Sequence, residues 1–165
     1  AERVLSFTPV MSSTNAPGLP GADAEVRKVL MQTARAKART PDEALELGLA
    51  FSSLIASEEG RNRPDERREL MKLAQERAFY PAGPKRQMAA IIDSGNLRPA
   101  ANRITAPTMV IHGAEDPLIP SACGQDIAAN VKGASFELVE GMGHDLPPSK
   151  LPKMVDLITA HCRAA

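Results

Sequence analysis

The stretch VIHGAEDPLIP, residues 110–120, decides how this chain is read. It starts β-branched and apolar at Val110 and Ile111, reaches a strand-ending glycine at Gly113, and delivers Asp116 into a loop bracketed by Pro117 and Pro120. Extended backwards it becomes PTMVIHG, a short strand behind Pro107. Extended forwards it leads to SACGQDIAANV as a helix, SFELVEG as a second strand, and PSKLPKMVDLITAHC as a closing helix with Leu151, Met154, Val155 and Ile158 along one stripe. Strands and helices alternating across short loops predict right-handed crossovers and a parallel sheet, an α/β architecture.

Towards the N-terminus, Val4, Leu5 and Phe7 form an apolar run ended by Pro9, which predicts a further, buried strand and makes about three parallel strands in all. VMSSTNAPGLPG is a loop. A helical block follows. Asp23 can cap a helix with Val26, Val29, Leu30 and Thr33 at i, i+3, i+4 and i+7, extending to about Arg39. Thr40, Pro41 and Glu43 form a capping box that opens ALELGLAFSSLIAS, ended by Glu58, Glu59 and Gly60. Pro64 and Asp65 open a third helix, stopped before Pro81, and Pro84 opens a fourth, stopped by Gly95. The expected organisation is a first strand and loop over 1–22, a helical block over 23–98, and an α/β segment over 99–165.

The totals narrow the function classes. A chain of 165 residues suits one domain, and 20 basic against 20 acidic side chains create no net field for nucleic acid, a membrane surface or polyanions. Aromatics at 3%, with no Trp, leave little from which to build a base-stacking surface. Cys123 and Cys162 form neither a CxxC pair nor a cluster with histidine, which argues against a disulfide framework or a zinc site and fits a reducing cytoplasm. Neither a membrane span nor a secretory signal is expected, since the apolar runs fall well short of about 18 residues. Arg61, Arg63, Arg67, Arg68, Lys72, Arg77, Lys85 and Arg86 are interleaved with acids, with Glu69 and Lys72 at i, i+3, so they read as a solvated helix face. His161 reads as surface chemistry near a helix C-terminus.

The chemistry rests on two side chains. In parallel α/β sheets, residues just past the carboxyl ends of strands line the functional crevice. Asp116 follows the strand through Ile111, and His144 follows the strand through Val139 within EGMGHDLP, so both belong at one rim. A carboxylate that accepts from one imidazole nitrogen fixes the tautomer and leaves the other nitrogen as a general base. Each residue alone has an ordinary structural use, Asp116 as a cap for the helix near Ser121 and His144 as a loop residue bonded to backbone. Together, each in a Gly- and Pro-rich loop, they are candidates for a catalytic relay.

APTMVIHGAEDPLIP followed by GASFELVEGMGHDLP resembles the C-terminal part of α/β-hydrolase fold enzymes, and VMSSTNAPGLP and RQMAAIIDSGN resemble a bacterial esterase-like branch that includes aclacinomycin methylesterase-type proteins. The resemblance implies Asp116 as triad acid, His144 as triad base, Leu118 and Ile119 near the active-site mouth, and Met11 to Asn15 as the loop into a helical cap. Met11, Met31, Met71 and Met88 read as core or adaptable lining, and with Phe51, Phe79 and Tyr80 they are candidates for an apolar substrate pocket under that cap.

One departure outweighs the matches. The nucleophile of that fold sits in a G-x-S-x-G turn, with partners in the order Ser, Asp, His. No such turn is present here: GASFE at 133–137 lacks the second glycine, lies between Asp116 and His144, and leads a strand instead of ending one. His112 and Gly113 resemble an oxyanion HG pair only superficially. The expectation is therefore the acid- and base-bearing half of a serine hydrolase acting on a small apolar ester, truncated and inactive alone, needing no cofactor or metal. Its partners would be the missing N-terminal half and, through the exposed sheet edge, further copies of itself. A non-catalytic binding module stays open, as does dehalogenase, epoxide hydrolase or cofactor-free haloperoxidase chemistry in the parent.

Overall fold

The computed structural model describes residues 3–35 and 40–165. At its centre β1 (Met109–Gly113) pairs in parallel with β2 (Ser135–Val139), in a register that sets Met109 beside Ser135 and Gly113 beside Val139. Helix α7 (Ser121–Asn130) connects them, as parallel strands require a crossover. Every residue of β1 is buried, whereas β2 buries only Val139 and lies at the edge.

The third strand is reduced to two bridges, Phe7 with Thr108 and Val10 with Ile111. Proline explains the reduction. Phe7 N donates to Pro107 O (2.9 Å), Met109 N to Phe7 O (3.1 Å), Ile111 N to Pro9 O (3.0 Å) and Met11 N to Ile111 O (2.9 Å). The step missing from this alternation belongs to Pro9, which has no N–H to donate. Nor is the run buried as expected, because Val4 and Leu5 are 53% and 78% exposed on the outer side, where no described strand covers them.

Side chains alternate across β1 and bury on both faces. Met109 and Ile111 join Val139, Met142 and Met154, with Leu157 and Ile158 of α8 (Leu151–Ala164) packed against them. Val110 joins Ile127 and Val131 on the opposite face, beside α6 (Arg98–Ala101), a short helix the sequence reading did not anticipate. Fully burying Val110 and Ile111 is worth roughly 1.5–3 kcal/mol each relative to exposure. The stripe expected on α8 is rotated: Met154, Leu157 and Ile158 face the core, while Leu151 and Val155 are exposed.

The helical block comprises α1 (Ala24–Arg35), α2 (Pro41–Ile55), α3 (Glu58–Arg61), α4 (Pro64–Arg77) and α5 (Gly83–Ser94). The expected extension of the first helix to Arg39 falls on residues 36–39, outside the described residues. Thr40 caps α2 as expected, its side chain accepting from Glu43 N at 3.2 Å. Glu58 to Gly60, expected only to end that helix, instead form α3 with Arg61, capped by Ser57. Helix α2 packs against α1 and α4, and Leu45 and Ile55 are its buried residues. Helices α4 and α5 bury none of their own residues. The basic face on α4 is solvated and paired, with Lys72–Glu69 at 3.0 Å and Arg68–Glu46 at 2.6 Å.

Both ends of the helical block are tied to α7 by Asp126. Thr14, on the entering loop, donates to Asp126 Oδ2 (2.5 Å), and Arg98, on the leaving side, donates twice to Oδ1 (2.8 and 2.5 Å). The Arg98 hydrogen bond holds the Asp126 carboxyl below its ordinary value against the opposing effect of burial, and Thr14 lowers it further. A carboxylate depressed on folding stabilises the fold above the unfolded value of about 4 and loses that contribution as pH falls through the folded value. Urea unfolding followed as the pH is lowered from about 6 through the acid range should show a loss of stability that Asp126→Asn flattens. An unchanged acid slope in the variant would show that the clamp contributes nothing.

Candidate active site

Asp116 sits just past β1, in a loop whose backbone is pinned by Ala114 N donating to Val139 O (3.0 Å) and Glu115 N to Met142 O (3.1 Å). Its carboxylate is buried and divides its work between two oxygens. Oδ1 accepts from Leu118 N (2.9 Å) and Ile119 N (2.8 Å), folding the loop upon itself. Oδ2 lies 2.7 Å from Nδ1 of His144. Asp116 does not cap α7, whose N-cap is Pro120.

A carboxylate only accepts, so the contact requires Nδ1 of His144 to carry the proton while the ring is neutral, leaving Nε2 with its lone pair. The ring is a quarter exposed, which leaves it open to a reacting group. Its main chain is fixed from the helical block, with His144 N donating to Ile55 O at 2.8 Å.

A second imidazole adjoins the same carboxylate. His112, wholly buried on β1, places Nε2 2.8 Å from Ile119 O and 3.7 Å from Asp116 Oδ2. Because a carbonyl only accepts, Nε2 is the protonated nitrogen, and Nδ1 is buried without a partner among the described residues. Helix α7 crosses that side of the ring at Gly124, where a Cβ would stand 2.3 Å from Nδ1. His112 thus braces the far end of the Asp116 loop. In sequence His112 is only a superficial HG match; its place two residues after Val110, on the α7 side of a buried strand, is the signal that points to it.

The other candidates divide into two groups. Leu118 and Ile119 meet Asp116 directly through their amides. Met11 follows the last bridge residue, with a left-handed φ of 45°, and packs against the core cluster around Ile111. Phe51 is half-buried on α2. Phe79 and Tyr80 lie on the exposed surface between α4 and α5, with Arg86 stacked 5.4 Å from the Tyr80 ring centre. No described hydrogen bond joins Phe51, Phe79 or Tyr80 to Asp116 or His144. Burial raises the Cys123 thiol above its ordinary value, and Cys123 Sγ donates to Pro20 O at 3.5 Å. Among the described residues no cluster of three or more His, Cys, Asp or Glu could hold a metal ion, and no helix is long and apolar enough to cross a membrane.

No protein-family model matches the chain. Solved structures do. An esterase from Rhodococcus sp. ECU1013 superposes with a TM-score of 0.70 at 12% identity, over 97% of this chain and 56% of its own length. A meta-cleavage product hydrolase from Pseudomonas fluorescens IP01 gives 0.69 at 14% identity, over 99% and 57%. An enol-lactonase from Burkholderia xenovorans LB400 gives 0.68 at 19% identity, over 97% and 56%. This chain therefore has the fold of the C-terminal part of an α/β-hydrolase. It spans little more than half the length of the structures it matches.

Proposed function

We propose that this chain is the acid- and base-bearing half of a serine hydrolase that cleaves an ester or related acyl bond. The observation that carries the reading is the 2.7 Å contact between His144 Nδ1 and the buried Asp116 carboxylate, with Nε2 left free. A serine supplied by a preceding half would attack the acyl carbon while His144 Nε2 takes its proton. The ring would then return that proton to the departing alcohol, and water, deprotonated by the same Nε2, would displace the serine from the acyl group, the proton passing back to the serine oxygen; Asp116 would hold the tautomer and steady the imidazolium in both halves. Leu118, Ile119 and Met11 would border the acyl group, and Phe51, Phe79 and Tyr80 would supply apolar surface from the helical block. No cofactor enters this scheme.

The same reading assigns the outer edge of residues 7–10 to the preceding half. Among the described residues no further strand pairs with that edge, and Val4 and Leu5 are exposed apolar residues beside it. Without that half, copies of the chain would pair through it. One experiment addresses both statements: nitrophenyl ester turnover and light scattering, for the chain alone and joined to the coding segment that precedes it. The expected outcome is an associating, inactive chain that becomes active when joined, with His144→Ala lowering kcat by about 10³-fold or more. Turnover by the chain alone, or turnover in the joined protein indifferent to His144→Ala, would overturn the reading.

A further inference from the structure

The residue after His144 does a separate job. Asp145 turns away from the relay and accepts twice from Ser57, from its amide at 2.9 Å and its hydroxyl at 2.8 Å. Ser57 is 1% exposed and lies in the linker between α2 and α3, so this contact joins the His144 loop to the helical block. The Ser57 hydroxyl is used a second time, accepting from Gly60 N at 3.1 Å to cap α3. One residue earlier in the linker, Arg61 donates to Ala56 O at 2.6 Å.

Two glycines make the approach possible. At Gly143 a Cβ would stand 2.6 Å from Ser57 N and 2.7 Å from Ile55 O, and at Gly60 it would stand 2.2 Å from Asp145 Oδ2. Backbone meets backbone on one side of His144, with a part-buried, charge-assisted pair of hydrogen bonds on the other. The main chain of His144 is thereby held from the helical block through Ile55 O and Ser57, while its ring is held from the sheet through Asp116.

We propose that Asp145 is a positioning residue that couples His144 to the helical block, so that the placement of the Ile55–Ser57 linker sets the direction of the His144 ring. The inference rests on the reading of Asp116 and His144 as a proton relay.

The test uses the joined protein, with ¹⁵N-labelled histidine, and follows solvent exchange of the imidazole N–H groups of His112, His144 and His161 by NMR. In the parent protein His144 should show a protected Nδ1–H, and His112 a protected Nε2–H. Ser57→Ala and Asp145→Ala should each speed exchange at His144 by about tenfold, in line with losing a hydrogen bond to a charged group. His112 should stay unchanged, and Ser57→Thr should restore protection. Ser57→Ala deletes a single oxygen and carries the test if Asp145→Ala unfolds.

Exchange at His144 within about twofold of the parent in Ser57→Ala, or equal changes at all three histidines, would overturn the coupling while leaving the relay intact. Absence of a protected His144 Nδ1–H in the parent protein is a different result, and removes the relay together with this inference.

Discussion

Asp116→Asn should lower kcat about 10⁴-fold in the joined, ester-cleaving protein while leaving the fold nearly untouched. The asparagine oxygen can still accept from Leu118 N and Ile119 N, the two bonds that shape the loop. Its NH₂ group then replaces the oxygen now 2.7 Å from His144 Nδ1. Two donors cannot face each other, so the imidazole moves its proton to Nε2 and offers Nδ1 as acceptor. The nitrogen needed as base is then occupied. Because the Asp116 side chain is fully buried behind His144, a substrate would not contact it, so KM should change little and the loss should fall on kcat. Kinetics on the joined protein, with urea unfolding alongside, check this; activity within tenfold of the parent would sink the relay.

Gly113→Ala should produce the largest loss of stability, about 3 kcal/mol, at the upper end of the usual range for overpacking. For a chain of this length that is a fall in Tm of roughly 6–12 °C. A Cβ at Gly113 would stand 2.3 Å from Met142 O and 2.6 Å from Gly143 O. Both obstacles are main chain, and β1 is buried along its whole length, so neither side can rotate out of the way. The loop that yields carries His144, so protection of its Nδ1–H should fall in the same variant. Gly133 supplies the contrast, since its φ of 76° makes alanine strained but nothing lies within 4 Å, and Gly133→Ala should cost only about 1 kcal/mol. Urea denaturation of both variants distinguishes them; equal costs would show that backbone strain alone, and not the close approach, decides.

Much of the architecture was legible because it depends on neighbours in sequence. The periodicity of 109–113 and 135–139, the stop at Gly95 and the Thr40 cap are local, and the structure carries each of them. The relay geometry was legible for a related reason. Residues just past two parallel strands that pair side by side must arrive at one rim, and Asp116 and His144 meet there at 2.7 Å.

The misreadings have a common origin. Helix α8 carries apolar residues that suit two adjacent stripes, 151–154–155–158 and 154–157–158, and helical spacing alone favours neither; packing against Met109 and Ile111 selected the second. The Val4–Phe7 run has the composition of a buried strand, but burial needs a neighbour, and no described strand covers its outer side. Pro9, expected to end a strand, instead removes one donor within a ladder that resumes at Val10. Ser57 carries no local signal beyond a cap, and its meeting with Asp145 spans a separation of 88 residues.

Local order in this chain, its helices, strands, caps and turns, follows from side-chain periodicity and from the φ preferences of glycine and proline, which act within a few residues. The division of Asp116 between loop and ring, the brace at His112, the Asp126 clamp and the hold of Ser57 on the His144 loop came only with the tertiary structure. Each joins groups distant in sequence, through hydrogen bonds whose strength depends on burial and on approaches of a few tenths of an ångström, quantities that spacing along a chain does not encode.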